Sequence, residues 1–276
     1  MRIATYVRNS RIERDGSLVS LLSALEAGGC EICRVNAETG IPRETDFLLS
    51  IGGDGTFLSA AALVGDSGIP VLGVNLGRLG FLSENRPESV AAALLGGEYT
   101  IENRTLLGAA FSIPAGDIAI DSRPFALNEI TVHRYGGAML GVDVSIDGAA
   151  LPTYWADGLL VATSSGSTAY SLSVGGPIVL PEARVLIIAP IASHNLNVRP
   201  MVVPDTSIIE IGLRSRDEKV ILTMDNRSAE IDPDMKITVS MAQFSLKRVR
   251  LNSSDFINAL TGKLFWGEDI RNSIEQ

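Results

Sequence analysis

The hydrophobic pattern of this chain changes its period once, near residue 100, and that change constrains the fold more than any single motif. Before it, short apolar runs typical of strands lie at 3–7, 30–35, 47–51 and 70–74. Segments with helical spacing, or rich in Ala and Leu, lie at 18–25, 56–64 and 88–95. Strands that alternate with helices predict βαβ units, which build a parallel sheet.

Beyond residue 100 the apolar segments are short, rich in β-branched residues and separated by Gly, Asp and Pro. They lie at 106–113, 128–132, 140–146, 158–163, 185–191, 208–213, 220–224 and 244–251. This spacing predicts an all-β sandwich or stacked sheets. The glycine-flanked segment 167–172 is predicted as a loop leading into a helical turn, and 255–260 and 268–274 as helices.

We therefore predict an α/β N-terminal domain with a parallel sheet plus a β-rich, sandwich-like C-terminal domain. The first domain spans 1–100, the second spans 101–252, and the tail 253–276 returns to the first. A length of 276 residues fits this division, since a typical domain has about 150 residues.

The charge balance excludes one class of partner. Lys plus Arg number 23 and Asp plus Glu number 32, which gives a net charge of −9. Without a basic run the chain lacks the electrostatic footprint of a nucleic-acid-binding protein. The field of an acidic chain also repels polyanions, so a phosphate site must rest on local backbone donors or on a metal ion.

No stretch of the sequence predicts a membrane partner. None approaches the ~18 consecutive apolar residues of a membrane span. The first apolar run, 3–7, is too short for the core of a signal peptide and suits a first strand. We therefore expect a cytoplasmic protein.

The two cysteines, Cys30 and Cys33, form a C-x-x-C pair. Such a pair serves in redox centres or as half of a zinc site. A zinc site needs further ligands, and the two histidines, His133 and His194, lie far along the chain without matching spacing. Because the pair lies in a strand-like segment, we interpret it as two plain thiols, with redox or metal chemistry as the alternative.

A glycine-rich loop, 50–56, follows the predicted strand at 47–51 and precedes a helix. Gly52, Gly53 and Gly55 let the backbone approach a ligand, and the helix N-terminus favours phosphate. The loop matches neither the Walker A pattern nor G-x-G-x-x-G. Asp54 lies inside it, where an acid beside phosphates serves as a general base or holds a metal ion. The alternative is a tight turn in which Asp54 caps the helix.

Three further motifs carry groups suited to a nucleotide. The loop 75–82 has glycines around residue 79 and places Phe81 either for stacking on a base or in the core. It leaves the same end of the predicted sheet as the first loop, where α/β proteins bind ligands. Asn128-Glu129 and Asp157-Gly158 begin strands, and either pair alone also suits a turn or cap. The segment 166–173 concentrates short hydroxyl side chains that suit ribose, amide and phosphate oxygens.

Taken in order, these motifs resemble the NAD kinase family, the ATP:NAD 2′-phosphotransferases. The resemblance runs from about Phe47 to the tail segment 263–267. Gly-Gly-Asp-Gly-Thr alone is shared with lipid kinases and phosphofructokinases, whereas Gly-Ser-Thr-Ala-Tyr together with Asn-Glu is more specific. The family has an α/β N-terminal domain and a β-rich, NAD-binding C-terminal domain with the active site between them, and its members form homodimers or homotetramers.

The resemblance implies a role for each matching residue. Asp54 corresponds to the proposed general base for the 2′-hydroxyl of NAD. The donor phosphates would lie on Gly52, Gly53, Gly55 and Thr56, with a divalent cation, Mg²⁺, bridging their oxygens. The NAD-binding set comprises Asp54, Gly55, Phe81, Asn128, Glu129, Asp157, Thr168, Ala169, Tyr170, Ser171, Ser173 and Ala192.

The chain departs from the family pattern at two places. Thr163-Ser164-Ser165 stands where the family commonly has Thr-Pro-Thr, which removes a fixed φ. Asp225-Asn226-Arg227 stands where many members have Asp-Gly-Gln. A glutamine contact cannot be transferred to Arg227, and our hypothesis is that this arginine meets a phosphate.

The predicted activity is phosphoryl transfer from ATP, or another phosphate donor, to the adenosine 2′-hydroxyl of NAD, giving NADP. Three alternatives stay open: a kinase for a lipid or sugar phosphate, a non-catalytic dinucleotide sensor, and a hydride-transferring oxidoreductase. The motifs leave open NADH as acceptor, polyphosphate as donor, feedback by NADPH and the number of subunits.

Overall fold

The computed structural model describes residues 1–77, 80–252 and 255–264, which fall into two compact units. The first unit comprises 1–63, 69–102 and the described residues from 247 onward, and the second comprises 64–68 and 103–246. Whether these units coincide with independently folding domains bounded at 100 and 252 stays a prediction. The helix predicted at 268–274 lies outside the described residues, as do Arg78 and Leu79 of the second loop and 265–267 of the tail.

The strands, in chain order, are β1 (Arg2–Val7), β2 (Glu31–Val35), β3 (Phe47–Ile51), β4 (Val71–Val74), β5 (Tyr99–Arg104), β6 (Leu107–Phe111), β7 (Phe125–Ala126), β8 (Glu129–Arg134), β9 (Leu140–Ile146), β10 (Ala149–Ala150), β11 (Tyr154–Ala156), β12 (Gly158–Thr163), β13 (Val185–Ile191), β14 (Met201–Pro204), β15 (Ile209–Arg214), β16 (Val220–Met224), β17 (Arg227–Ile231), β18 (Ile237–Met241) and β19 (Leu246–Leu251). The α-helices are α1 (Gly16–Ala27), α2 (Asp54–Val64), α3 (Pro87–Gly96), α4 (Ile118–Asp121), α5 (Tyr170–Ser173) and α6 (Phe256–Leu264). Short 3₁₀ helices span Ser10–Arg14 and Ser165–Thr168.

The first unit is built on a six-stranded sheet with the order β2-β1-β3-β4-β19-β5. β1 pairs in parallel with β2 and β3, and β4 pairs in parallel with β3 and β19. α1 connects β1 to β2 and α2 connects β3 to β4, so these are the predicted βαβ units. β3 and β4 are buried along their whole length, as strands of a sheet covered on both faces are. Because these two strands are parallel neighbours, the glycine loops that follow them leave the same edge of the sheet.

The second unit consists of two antiparallel sheets, as the sequence predicts. One has the order β10-β9-β15-β18-β6-β7, with β11 also on β9, and the other has the order β14-β13-β12-β8-β16-β17. Alternate residues of both sheets share one core, among them Val142 and Val144 of the first sheet and Ile130 and Val132 of the second. This alternation of apolar and polar positions is the signature of sheets packed face to face.

The second of these sheets also has a covered outer face. Leu160, Ala162 and Ile187 form a separate apolar cluster against which Tyr170 and Val174 pack. The covering segment is the 3₁₀ helix followed by α5, which confirms the prediction of a loop leading into a helical turn. This packing places the hydroxyl-rich segment on the outer side of β12 and its neighbours.

Candidate functional site

The first glycine loop takes a shape that its residue types impose. Gly52 has a φ of +145°, and a Cβ there would come within 2.5 Å of Thr56 Oγ1. Its N–H donates to the carbonyl of Val74, which ties the ends of β3 and β4 together at 2.8 Å. Gly53 and Gly55 are exposed, and α2 begins at Asp54. The loop therefore presents exposed backbone at the N-terminus of a helix, the arrangement that favours phosphate.

The Asp54 carboxylate joins the first loop to the second. Its Oδ2 accepts a hydrogen bond from the N–H of Phe81 at 2.8 Å, and its Oδ1 accepts from Leu82 at 3.1 Å and Ser83 at 2.9 Å. A Cβ on Gly80 would collide with this carboxylate, so position 80 requires glycine. A carboxylate offers about four acceptor positions, so roughly one remains for a further donor.

Lys263 of α6 completes this cluster in the first unit. Its Nζ donates to the carbonyl of Gly80 and lies 4.6 Å from the centroid of the Phe81 ring. The Phe81 ring also packs at 6.1 Å from that of Phe256. Burial lowers the pKa of Lys263, and the charges of Glu84 and Asp54 oppose that fall. An ammonium group thus lies close to the Asp54 carboxylate.

In the second unit, Asn128 and Glu129 are held at the start of β8 by the side chain of Asp225. Its carboxylate accepts hydrogen bonds from the N–H groups of Leu127 and Asn128 at 2.8 Å each and of Glu129 at 3.2 Å. The N–H of Asp225 donates in return to the carbonyl of Glu129 at 3.0 Å. Burial raises the pKa of Asp225, and the three N–H groups oppose that rise.

The hydroxyl-rich segment is tied to the same pair. Thr163 donates from its N–H to the carbonyl of Asn128 at 2.9 Å and from its hydroxyl to the carbonyl of Leu127 at 2.6 Å. The Thr163 hydroxyl accepts in turn from the N–H of Gly166. A Cβ at Gly166 would collide with the backbone of Asn128, which explains the glycine there.

Two side-chain atoms of the pair lack partners. Asn128 and Glu129 are 6% and 8% exposed, and their Oδ1 and Oε2 atoms have no hydrogen bond within the described residues. A buried polar atom without a partner is unfavourable, so these atoms mark a place that a ligand would complete. Burial raises the pKa of Glu129 to about 8, and the charge of Asp225 adds to that rise.

Tyr170 and Asp157 belong to the same electrostatic neighbourhood. The Tyr170 ring stacks on that of His133 with centroids 5.9 Å apart and an interplanar angle of 15°. Burial raises the pKa of Tyr170, and the charges of Asp157 and Glu129 add to the rise. Burial lowers the pKa of His133, which Asp157 opposes. Asp157 itself accepts from Arg134 Nε at 2.7 Å.

The remaining predicted residues differ in accessibility. Thr168 and Ala169 are half-buried, and Ser173 and Ala192 are exposed. Ala192 has a φ of +48°, a strained value for a residue with a side chain. Ser171 is fully buried, and its hydroxyl packs so closely against Gly176 that a Cβ on residue 176 would collide with it.

Arg227 has a different set of partners from the one hypothesised. Its guanidinium donates to the carbonyls of Ala119 at 3.1 Å, Arg123 at 2.6 Å and Phe125, and lies 5.6 Å from the centroid of the Phe125 ring. These contacts hold the segment 119–125 against the β16–β17 hairpin. The structure thus gives Arg227 a structural role, and its contact with a phosphate stays a hypothesis.

The described residues contain neither a metal-binding cluster nor a membrane-spanning helix. Within the described ranges, no three His, Cys, Asp or Glu side chains are grouped so as to hold a metal ion, and both cysteines are free thiols. Across the same ranges, no helix combines the length and the apolar character needed to cross a bilayer.

Comparison with known proteins decides the family. The model of the ATP-NAD kinase N-terminal domain matches residues 8–97, and that of the ATP-NAD kinase C-terminal domain matches residues 127–251. The NAD kinase of Flavobacterium psychrophilum is 41% identical over 243 residues, which are 87% of this chain and 82% of that protein. The chain belongs to the NAD kinase family.

Solved structures of NAD kinases share this fold. An NAD kinase from Archaeoglobus fulgidus in complex with ATP has a TM-score of 0.75 and 28% identity, covering 91% of this chain and 94% of that one. Yeast NADH kinase complexed with NADH has a TM-score of 0.84 and 25% identity, covering 98% of this chain and 89% of that one.

Two residues of this NAD kinase family member escaped the sequence analysis. Asp225 was noted only as part of a departure from the family pattern, although an Asp at a hairpin turn is a signal for backbone hydrogen bonding. Lys263 lay in the tail motif without an assigned role. Neither contact is visible in the local sequence, because each joins residues that are far apart in the chain.

Proposed function

We propose that this chain is an NAD kinase that transfers the γ-phosphoryl group of ATP to the 2′-hydroxyl of the adenosine ribose of NAD, giving NADP. One structural observation carries the proposal beyond family membership. Asp54 lies at the N-terminus of α2 with three backbone donors on its carboxylate and about one acceptor position left over. That position suits a substrate hydroxyl.

Asp54 is the general base in this proposal. As the new O–P bond forms, the bond between the γ-phosphorus and the β,γ-bridging oxygen of ATP breaks and ADP leaves. The carboxylate accepts the proton of the 2′-hydroxyl. Phosphoryl transfer needs little covalent work from the protein and depends on alignment and charge neutralisation. The donors from Phe81, Leu82 and Ser83 hold the carboxylate in one orientation and so provide the alignment.

The phosphate donor lies on the first glycine loop. In this proposal it lies against Gly52, Gly53, Gly55 and Thr56 at the helix N-terminus, where partial positive charge opposes the charge of the phosphates. Lys263 donates to the carbonyl of Gly80 in the same cluster and adds a basic side chain there. Local groups of this kind are needed because the whole chain is acidic.

A divalent cation, Mg²⁺, is part of the proposal and is carried by the donor. The described residues offer Asp54 and no cage of three acidic or imidazole ligands, which fits an ion held mainly by phosphate oxygens and water. Bound there, Mg²⁺ supplies charge neutralisation on the transferring phosphoryl group.

The second unit provides the NAD-binding groups. The unpartnered oxygens of Asn128 and Glu129 would bind NAD. Tyr170 offers its ring, which stacks on that of His133. The other members of the proposed set in this unit are Asp157, Thr168, Ala169, Ser171, Ser173 and Ala192, and those of the first unit are Asp54, Gly55 and Phe81.

A matrix of donors and acceptors tests the proposal. Purified protein is incubated with ATP or polyphosphate as donor and with NAD or NADH as acceptor, with and without Mg²⁺, and NADP or NADPH is measured enzymatically. We expect NADP from ATP and NAD in the presence of Mg²⁺. NAD binding without turnover would favour a dinucleotide sensor, and ATP consumption only with a lipid or sugar phosphate would favour another kinase.

The assembly and location belong to the proposal as well. We expect a homodimer or homotetramer, as the family resemblance implies, and the apolar edge strand β14 with exposed Met201 and Val202 offers surface for it. Light scattering after size exclusion measures the mass. A cytoplasmic location agrees with two thiols left free, since cytoplasmic thiols stay reduced.

A further inference from the structure

Asp225 fixes the Asn128-Glu129 pair more firmly than any other residue described. Four hydrogen bonds join Asp225 to the backbone of 127–129, three to its carboxylate and one from its N–H. Asp225 has a φ of +55° in the two-residue turn between β16 and β17. A left-handed conformation is uncommon for a residue other than glycine, and here it coincides with a carboxylate directed at the start of β8.

The surroundings of Glu129 disfavour a second negative charge. Asp225 faces it from the β16–β17 turn, and Tyr170 faces it from α5 with its backbone N–H and its phenol. His133 lies four residues further along β8 on the same face of the strand, and Asp157 is close to it. Among the described residues, no cationic side chain forms an ion pair with Glu129, and its Oε2 is buried without a partner.

Of the carboxyl groups of Asp225 and Glu129, only one therefore carries a negative charge. Asp225 has three N–H donors, whereas Glu129 has one, from Tyr170. Hydrogen-bond donors stabilise the charged form and burial destabilises it. Of the two carboxyl groups, Glu129 is the one that keeps its proton, and its pKa is raised to about 8.

We propose that Asp225 is a positioning residue for NAD and that it makes Glu129 meet the ligand as a neutral carboxylic acid, a hydrogen-bond donor. The inference rests on the proposed function. A neutral Glu129 gives a ribose oxygen a donor and keeps a buried negative charge away from a dinucleotide whose pyrophosphate is itself negative. Asn128, fixed by the same side chain, supplies the neighbouring acceptor.

The test measures the Kd of NAD by calorimetry without ATP, between pH 6.5 and 9.5, on the full chain. For the wild type we expect the Kd to rise about tenfold from pH 7 to pH 9, because Glu129 loses its proton near pH 8. Glu129→Gln keeps a donor and an acceptor and cannot ionise. We expect its Kd at pH 7 to stay within about threefold of the wild type and to be flat over this range.

Asp225→Asn separates positioning from a merely structural role. It removes the negative charge beside Glu129, so the pKa of Glu129 falls and NAD affinity is lost at a lower pH than in the wild type. We also expect a higher Kd at every pH, because Asn128 and Glu129 are held less well. Loss of packing alone would raise the Kd and leave that pH in place. Asp234→Asn, at an exposed acid in the β17–β18 turn, is the matched control and keeps the wild-type profile.

A second readout needs no ligand. Between about pH 4.5 and 8 the folded state keeps the Glu129 proton that the unfolded state releases. Stability therefore falls as the pH rises through this window. We expect the urea midpoint of Glu129→Gln to fall less over the window than that of the wild type.

Several results would overturn the inference while the proposed function stands. These are a wild-type Kd that is flat to pH 9.5, a Glu129→Gln variant that loses more than tenfold in NAD affinity at pH 7, an Asp225→Asn profile that falls at the unchanged pH, or urea midpoints with equal pH dependence. A wild-type protein that neither binds NAD nor makes NADP would instead refute the proposed function, and the inference with it.

Discussion

At the scale of single residues, carboxylates in this protein are used to fix backbone. Asp54 accepts from three N–H groups of the second glycine loop, and Asp225 accepts from three at the start of β8. Arg227 does the opposite and donates to three carbonyls. A charged group with several backbone partners makes strong, directional bonds, so each of these residues determines the position of its neighbours.

Asp54→Asn tests the general base. We expect kcat to fall about 10²- to 10⁴-fold, the usual contribution of general-base catalysis, while NAD still binds. Asparagine also turns an N–H group toward a backbone donor, which adds to the loss. Steady-state kinetics and NAD calorimetry measure the two effects separately. Asp66→Asn, an exposed acid beyond α2, is the control, and wild-type turnover in Asp54→Asn would refute the assignment.

Arg227→Ala tests the structural role of that arginine. Loss of the contacts to the carbonyls of the segment 119–125 should lower the free energy of unfolding by about 1–3 kcal/mol, since three carbonyls lose a charged donor. The KM values for NAD and ATP should change less than threefold. Urea unfolding and kinetics check this, and a large rise in the KM of either substrate at unchanged stability would support the phosphate hypothesis.

At the scale of elements, the first unit assembles its cluster from three places in the chain. The loop after β3 provides Asp54, the loop after β4 provides Gly80 and Phe81, and α6 provides Lys263. The two loops meet because β3 and β4 are parallel neighbours, and parallel strands end at a common edge. α6 adds the positive charge of Lys263 to that of Arg248 on β19, which donates to the carbonyl of Phe81 at 3.4 Å.

Gly80→Ala tests the contact between the two loops. A methyl group there would displace the Asp54 carboxylate, so we expect kcat/KM to fall about tenfold or more, with a lower Tm. Gly77→Ala in the same loop meets only ordinary contact, with Asn75 Oδ1 at 3.8 Å, and should have a much smaller effect. Equal activity of the two variants would show that the loops do not depend on this contact.

Lys263→Met tests the contribution of α6. Methionine keeps much of the aliphatic stem but removes the donor to Gly80 and the cation over Phe81. We expect kcat to fall about tenfold, on the basis of ~1.4 kcal/mol for a lost charged contact. Lys263→Arg should recover part of the rate. Unchanged kinetics in Lys263→Met would remove this residue from the proposed machinery.

At the scale of the whole molecule, the net charge of −9 opposes the approach of ATP and NAD, both of which are anions. Local donors must overcome that field, and the exposed glycine backbone, the N-terminus of α2 and Lys263 lie together in one cluster. The long-range part of the repulsion is screened by salt, because the Debye length falls to about 8 Å at physiological ionic strength.

Ionic strength tests this balance. We expect kcat/KM for ATP at fixed Mg²⁺ to rise about two- to threefold between 10 and 150 mM salt, as screening weakens the repulsion. The kcat at saturating ATP should change little, since bound substrate is already inside the local field. A fall of kcat/KM over the same range would show that the field at the site attracts ATP.

The hydrophobic pattern of the sequence predicted both architectures, and its motifs supplied the candidate site residues, which stay predictions. Periods of 3.6 and 2 are local properties, so they indicated βαβ units before residue 100 and sheets after it. The sequence pattern did not indicate β5, β7, β10, β11, β14, β17 and β18. Four of these, β7, β10, β11 and β14, have only two to four residues, too few to show a period of their own.

The positions of the motifs depend on hydrogen bonds between distant parts of the chain, which form only in the folded protein. Asp225 reaches backbone 96 to 98 residues away, and Lys263 reaches a carbonyl 183 residues away. Hydrogen bonds of this kind depend on which strands become neighbours, and no local period records that. The same holds for the proton on Glu129, because burial and the charge of Asp225 arise only once β8 and the β16–β17 turn are packed together.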